Sequence, residues 1–455
     1  MKTNTRAILL CLFATGAAAQ PALTLEQAVQ QAVIKYPAIR VSQEQVSAAA
    51  AAIKLARTSY LPKADFLAQA NRATHNNVFG LMLPQGVLSS ISGPALSMNS
   101  LSSVWGTAVG ALVSWEPFDF GLRKANVEVA ESARNRAGAQ VNVTKLQVAA
   151  AAADAYLTIL AAQQTVTAAK AGVERARVLN QIVGTLVKNE LRPGAEESRT
   201  RAELALAETQ LIQAEQAVDV GRATLAQLLG VSPRTIVIQS GPLLQLPREQ
   251  TMPGVSAANH PFAVAQNLAV VEVKSREKAL NRSYYPRFDL QATSYARGTG
   301  IQPSGSTGGA ASGLGPNIQN WALGLSVTFS AFEIASIRAR KEIESSNERA
   351  EAARYDQAIQ DIMGQIEKAN ATLVGARRIA ENTPIQLQAA RDTEQQASAR
   401  YRTGLGNIVD VAEAQRILTQ AEIDDALAKL SVWRGLLSVS IAAGDVQPFV
   451  QKTVQ

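Results

Sequence analysis

The sequence has little of what an enzyme or a disulfide-stabilised scaffold requires. Its single cysteine, Cys11, lies close to the N-terminus, and histidine occurs only twice among the 455 residues. The chain has no P-loop, no GxGxxG motif after a strand and no HExxH motif. These absences leave no candidate catalytic centre, cofactor site or metal site. We therefore predict that the protein is not an enzyme, binds no cofactor and gains its stability from packing and assembly.

Long apolar runs are missing as well. Beyond the N-terminus there is no uncharged apolar stretch of about 18 residues, the least that a membrane-spanning helix needs. A place in a membrane would then require a β-barrel, because a barrel satisfies every backbone hydrogen bond in lipid. The net charge of +7 comes from scattered basic residues without a dense run, which argues against nucleic-acid binding.

Residues 1–19 have the features of a signal peptide. Lys2 and Arg6 precede a short apolar core, and Ala17 and Ala19 form an A-x-A cleavage site. Lipidation of Cys11 is the alternative, although the bulky Leu10 stands where lipidation normally requires a small residue. Export is predicted in either case.

The rest of the chain contains an internal duplication. Residues 60–62 (Tyr-Leu-Pro) resemble residues 284–286 (Tyr-Tyr-Pro) at an offset of 224, and residues 115–121 resemble residues 329–335 at an offset of 214. The change of offset confines a ten-residue difference to one loop in each half. General similarity between Ala-rich helices does not account for these landmarks. We predict two repeats, 20–240 and 241–455.

Each repeat contains two segments in which apolar and polar residues alternate over about ten positions, as in membrane-embedded strands. In the clearest segment Trp321, Leu323, Leu325 and Val327 share one face. Four half-buried strands of a soluble sheet are the alternative. Four strands are too few to close a barrel, so the membrane interpretation requires strands from partner chains. The four predicted strands span residues 62–73, 104–116, 286–297 and 319–330.

Long helices follow each strand pair, where alanine, glutamine and glutamate are frequent. At 1.5 Å per residue the longest would extend about 100 Å, too far for a compact globule. Paired in antiparallel fashion, they would form two coiled-coil hairpins. A solvent-exposed structural rod, or a periplasmic adaptor with its own helical hairpin, is the alternative. The four predicted helices span residues 121–188, 195–230, 332–402 and 408–443.

The turn of each predicted hairpin carries most of the distinctive polar residues. Residues 190–196 read ELRPGAE, and residues 401–413 read YRTGLGNIVDVAE. Asp410 and Glu413 are three positions apart, so they share a face of the following helix. Acidic residues in a first helical turn also interact favourably with the helix dipole, which is a purely structural explanation of the same pattern.

With these landmarks the chain resembles the TolC-type outer-membrane efflux family, over nearly all of its length. The resemblance implies a mixed α and β fold, mainly long α-helices, with a duplicated strand-strand-helix-helix unit. Three chains would combine their strands into a 12-stranded transmembrane β-barrel in the outer membrane of a Gram-negative bacterium. A periplasmic α-helical tunnel would continue it. The implied function is the passive exit duct of a tripartite efflux or type I secretion system, with an adaptor protein and an inner-membrane pump as partners.

The resemblance also implies roles for the residues of the two turns. Four residues match positions that narrow or hold the periplasmic mouth: Asp410, Glu413, Glu196 and Tyr401. Eight residues match the surface that meets the adaptor: Leu191, Arg192, Pro193, Gly194, Gly404, Leu405, Gly406 and Asn407. Gly406 stands where some family members have an arginine that pairs across the gate.

Overall fold

The computed structural model describes residues 22–74, 101–247, 256–302, 304, 306–329 and 331–453. The predicted signal peptide and most of the long connection after the first strand lie outside these residues. The helices are α1 (Leu25–Lys35), α2 (Pro37–Thr58), α3 (Leu122–Lys188), α4 (Gly194–Leu229), α5 (Pro261–Arg282), α6 (Ile334–Arg402), α7 (Ile408–Ala442) and α8 (Gln447–Lys452). The strands are β1 (Lys63–Thr74), β2 (Ser103–Phe118), β3 (Arg287–Thr299) and β4 (Ile318–Thr328).

The mixed fold with long helices is confirmed. A helix, two strands and two long helices follow one another twice along the chain. The observed bounds of the four strands and the four long helices differ from the predicted ones by at most two residues. Helix α6 continues through Pro384. The sequence did not predict the short helices α1 and α8 at the ends of the chain.

The four strands form one antiparallel sheet in the order β1-β2-β3-β4. Residues that pair directly across neighbouring strands point to the same face of a sheet, so the register decides whether the predicted faces coincide. One row across the sheet is apolar and consists of Ala64, Val113, Ala292 and Leu323. The next row, on the opposite face, consists of Lys63, Ser114, Gln291 and Gly324. The sheet therefore has one apolar face and one polar face.

The apolar face of the sheet is exposed. Phe66 has 86% of its surface accessible, Trp321 81% and Leu323 66%. A soluble sheet buries its apolar face against other elements, and an exposed apolar patch of this kind marks a surface that meets lipid or another protein. The alternation in the sequence thus corresponds to an apolar face of the sheet that is exposed.

Buried hydrogen bonds fix the end of β2 to the start of α3. The Asp119 carboxylate accepts from the backbone N–H of Arg123 at 2.6 Å and from its Nε at 2.9 Å. The Arg123 guanidinium lies over the Tyr60 ring, 4.8 Å from its centroid. The Trp115 indole N–H donates to the Tyr60 carbonyl at 3.1 Å. These contacts explain why the landmark residues of the first repeat are polar and aromatic: they cap α3 and join the end of β2 and the start of α3 to the turn that precedes β1.

The described residues divide into two compact units. One contains the sheet and consists of Ser42–Val141 and Phe262–Ala358; the other contains residues up to Val41, Asn142–Pro261 and the residues from Ile359 onward. The second unit is centred on buried side chains of α3, among them Tyr156, Leu157 and Leu160. The Tyr156 hydroxyl donates to the carbonyls of Leu23 and Gln239, the second at 2.5 Å.

Helix α3 is the one described helix that is long and apolar enough to span a membrane. Its most apolar 18-residue window has a mean hydropathy of 1.2, and 61% of that window is buried. The core helix of a soluble unit satisfies the same criterion, and α3 supplies the central side chains of such a core. Its apolar content therefore follows from packing within the protein.

Candidate functional site

The candidate site lies at the turns of the two helical hairpins, both in the second unit. We call residues 189–193, between α3 and α4, the first tip, and residues 403–407, between α6 and α7, the second tip. The offset of 214 residues aligns these segments position by position. The sequence placed all of the candidate gate and docking residues at or next to them.

Both tips have the same backbone fold. The second residue after the helix adopts a positive φ, 58° at Glu190 and 78° at Gly404. The next amide donates back to a carbonyl five residues earlier: Leu191 to Leu186 at 2.9 Å, and Leu405 to Arg400 at 2.8 Å. This pair of features defines a Schellman turn, which reverses the chain in a few residues. Glycine meets that requirement at 404 without strain, whereas Glu190 adopts a conformation that costs a side-chain-bearing residue about 1 kcal/mol.

The next helix then begins at aligned positions with different caps. Asn407 precedes α7, and its side-chain oxygen accepts from the backbone N–H of Val409 at 3.1 Å. Pro193 precedes α4 and provides no side-chain cap. The second tip is therefore held by a local cap that the first tip lacks.

The two hairpins are joined by a group of three polar side chains. The Tyr401 hydroxyl, at the end of α6, donates to Oε2 of Glu196 in α4 at 2.8 Å. Arg192 of the first tip approaches Oε1 of the same carboxylate at 3.7 Å. Its guanidinium also lies over the Tyr401 ring, 4.8 Å from the centroid. Two of the predicted gate residues, Glu196 and Tyr401, are thus in direct contact, and Arg192 completes the group.

Tyr401 is embedded in apolar side chains. It is 4% exposed and packs in a cluster with Leu179, Val183, Ile408 and Val411. Burial, reinforced by the hydrogen bond to Glu196, raises the pKa of Tyr401 to about 12. The hydroxyl therefore keeps its proton at physiological pH and acts as a donor.

Asp410 and Glu413 do not share one environment. Asp410 is exposed in the first turn of α7, and within the part of the chain that the structure describes its carboxylate has no hydrogen-bond or ion-pair partner. Glu413 accepts two hydrogen bonds from Arg416, at 2.6 and 2.9 Å. These bonds lower the pKa of Glu413 below its ordinary value. Asp410 is therefore the unpaired carboxylate of the two among the described residues, whereas the positive charge of Arg416 offsets the negative charge of Glu413.

The candidate docking residues differ in how accessible they are. Leu191 and Leu405 occupy aligned positions and are 67% and 75% exposed. Gly406 is closely packed: a Cβ at this position would lie 2.9 Å from the Tyr401 nitrogen and 3.1 Å from the Arg400 carbonyl carbon. Glycine is required there because the turn brings the backbone too close to the end of α6 for any side chain.

A second polar connection in this unit was not predictable from the sequence. Arg175 of α3 donates to both carboxylate oxygens of Glu422 in α7, at 3.2 and 2.8 Å, and to the Thr419 hydroxyl at 2.8 Å. Both ion-pair partners are about one fifth exposed. The residues are 247 positions apart, so no local pattern in the sequence points to their pairing.

Comparison with known proteins identifies the family. The model of the outer membrane efflux protein family matches residues 28–231 and 257–444, which is most of the chain. The chain belongs to this family. It is an outer-membrane exit duct with a periplasmic extension, in a Gram-negative outer membrane.

Individual relatives of this efflux protein are distant but cover it almost completely. Nodulation protein T of Rhizobium leguminosarum bv. trifolii is 22% identical, over 91% of this chain and 85% of that protein. Protein CyaE of Bordetella pertussis is 24% identical, over 93% of this chain and 84% of that protein. The CmeC outer membrane channel of Campylobacter jejuni superposes with a TM-score of 0.73 at 16% identity, over 95% of this chain and 89% of CmeC. That similarity shows that the efflux protein has the fold of a known channel.

Family membership decides between the alternatives left open by the sequence. An exposed structural rod or an adaptor would explain the hairpins, but neither belongs to the outer membrane efflux protein family. The apolar face of the sheet and the paired tips are accordingly parts of a channel protein, and the family and its structural neighbours are channels.

Proposed function

We propose that three copies of this efflux protein form one duct, in which twelve strands close a β-barrel and the helical hairpins line a tunnel. The observation that carries the proposal is the sheet itself. It has an exposed apolar face and a polar face, and its outer strands β1 and β4 have no partner on one side among the described residues.

An open sheet edge in lipid leaves backbone N–H and C=O groups without hydrogen bonds, each at a cost of several kcal/mol. Pairing β4 of one copy with β1 of the next would satisfy both edges. Four strands are too few for a closed barrel, for which about eight are the minimum. Assembly of copies is therefore a condition for placing this sheet in a membrane.

We further propose that the duct operates passively, with an inner-membrane pump and a periplasmic adaptor, in a tripartite efflux or type I secretion system. The absence of a nucleotide-binding motif in the sequence supports a passive role. The exposed Leu191 and Leu405 at the two tips support docking of an adaptor at that end, because apolar side chains in an exposed turn favour association. All eight residues assigned to the docking surface remain part of this proposal.

The gate assignment is proposed on the contacts at the tips. Tyr401 and Glu196 would hold the two hairpins together and keep the periplasmic mouth narrow. Asp410, exposed and unpaired among the described residues, would place one negative charge per copy near the axis. Three such charges attract cations and repel one another, so the closed mouth would select for cations and be sensitive to divalent ions. Glu413 would contribute less, because Arg416 neutralises it.

The membrane part of the proposal is tested with substitutions on the two faces of β4. Leu323→Arg puts a charge on the apolar face, and Asn320→Arg puts the same charge on the polar face. We expect Leu323→Arg to reduce strongly the amount of protein recovered as a detergent-extracted trimer, because a charge facing lipid costs about 2–4 kcal/mol near the bilayer centre. Asn320→Arg should assemble normally. Equal recovery of both variants would refute a lipid-facing role for the apolar face.

The channel part is tested by recording currents from the purified protein in planar bilayers. Wild-type protein should give small, cation-selective currents, and Asp410→Ala should reduce the selectivity and the block by divalent ions. Conductance and selectivity unchanged by Asp410→Ala would exclude the proposed ring of charges. Absence of any channel activity would refute the duct itself.

A further inference from the structure

We propose that Arg192 is the cation of a latch that holds the two hairpins together, the latch being the side chains of Arg192, Glu196 and Tyr401. The inference rests on the proposed function, since it adds a residue to the gate. The family resemblance assigns Arg192 to the docking surface, and in the structure its side chain contacts Glu196 and Tyr401.

The latch connects elements that are far apart in the chain. Arg192 and Glu196 belong to the first hairpin, whereas Tyr401 ends the third long helix, 205 residues beyond Glu196. Tyr401 donates to one oxygen of the carboxylate and Arg192 approaches the other. One carboxylate thus holds a hydroxyl and a guanidinium at the same time, and the guanidinium covers the ring that bears the hydroxyl.

Partial burial makes these contacts stronger than ordinary surface pairs. The side chain of Arg192 is 27% exposed and that of Glu196 is 18% exposed, against 59% and 51% for the Arg416–Glu413 pair nearby. Charges that are partly removed from water are less well screened by solvent and salt. The guanidinium gains a further interaction from the face of the tyrosine ring.

The alignment of the two tips explains why the cation comes from the first hairpin. Arg192 and Gly406 occupy equivalent positions, 214 residues apart. A side chain at 406 would collide with the backbone of Arg400 and Tyr401. The second tip therefore has no room for a cation at this position, whereas the first tip presents one that reaches across to the second hairpin.

Arginine is better suited to this position than lysine. Its planar guanidinium can lie flat on the Tyr401 ring while an edge faces the Glu196 carboxylate, and it remains charged at all relevant pH values. A lysine ammonium would keep the charge but lose the stacked arrangement. The Arg192→Lys substitution therefore separates the contribution of charge from that of geometry.

The test records currents of the full-length protein in planar bilayers and measures the fraction of time that the channel spends open. Arg192→Ala should raise the fraction of time spent in the open state by about two- to five-fold, the range expected from loss of a partly exposed ion pair. Arg192→Lys should lie between wild type and Arg192→Ala. Arg199→Ala is the matched control, because Arg199 is an exposed arginine in α4, the helix that follows the first tip, and has no ion pair in the described structure. It removes the same charge and should leave the open fraction unchanged.

A double substitution separates a latch from a general effect on folding. If Arg192 acts through Tyr401 and Glu196, Arg192→Ala combined with Tyr401→Phe should open the channel less than the sum of the single effects, since both disrupt the same group. Strictly additive effects, or an open fraction for Arg192→Ala equal to that of Arg199→Ala, would overturn the proposal. Both of these results are observed in a protein that still forms channels, so they would refute the latch alone. Wild-type protein that forms no channel would refute the duct as well as the latch.

Discussion

The first and second tips have the same backbone conformation but differ in most of their side chains. Both reverse the chain through a Schellman turn at aligned positions, and both expose a leucine at the same place. The first tip presents a charged side chain, Arg192, that makes contacts outside its own hairpin. The second has glycine at the equivalent position and packs closely on the helix before it. The two copies of the turn thus keep the same backbone conformation, but the first contacts the other hairpin through a side chain and the second packs on its own helix.

The largest effect should come from the residue on which the two hairpins meet. Tyr401 aligns with Val187 of the first hairpin, and both contact the same apolar cluster. Tyr401→Ala should lower the local stability of the tips by about 3 kcal/mol, because it empties a buried site and removes the partner of Glu196. Val187→Ala should cost about 1 kcal/mol, because Val187 is smaller and only partly buried. Hydrogen exchange of the amides in residues 400–412 measures the difference, and equal protection in the two variants would contradict it.

The next effect concerns the glycine that distinguishes the second tip. Gly406→Ala should lower the stability of that tip by about 2 kcal/mol, since the new methyl group would force the backbone of the turn away from Arg400 and Tyr401. Gly194→Ala is the control: apart from adjacent residues and the backbone of its own helix, nothing lies within 4 Å of a Cβ at that position. Melting of the helical circular dichroism signal in detergent compares the two variants. A similar melting temperature for both would mean that the close approach at 406 is unimportant.

A reciprocal pair of substitutions tests whether the two turns are equivalent. Glu190→Gly should stabilise the first tip and Gly404→Ala should destabilise the second, each by about 1 kcal/mol, because both residues have a positive φ. Hydrogen exchange at the Leu191 and Leu405 amides, which close the two turns, reports each change separately. Changes of the same sign would show that the turns respond to different constraints.

The smallest effect is expected at Glu413. Its pKa is lowered by Arg416, so the pair contributes stability at pH values above the ordinary glutamate pKa and loses it as the pH falls through the lowered value. The exposed position makes this contribution slight. Glu413→Gln should therefore change the melting temperature very little at pH 7. It should also remove the small loss of stability that protonation of Glu413 causes at acidic pH. A large change in melting at pH 7 would show that Glu413 has a role beyond this pairing.

The sequence predicted the strands and helices, whose residues follow a regular local periodicity. Alternation in β4 marks its faces because successive side chains of a strand point to opposite sides, and α3 contains no proline that would end it early. The grouping of Glu196 with Tyr401 came from the family resemblance. The contacts of Arg192 did not follow from either, because the contact with Tyr401 depends on how the two hairpins pack against each other, which no local pattern in the sequence encodes.

The unpaired edges of the sheet have a consequence for the life of the protein before it becomes a duct. Among the described residues a single copy leaves one side of β1 and one side of β4 unpaired, so under the proposed assembly of three copies membrane insertion would depend steeply on the local concentration of newly exported chains. In the proposed trimer, a copy with an intact β1 but a damaged β4 could still pair with one neighbour and would then prevent the third copy from closing the barrel. Such a variant would interfere with normal chains in the same cell, so that its effect would be dominant rather than a simple loss.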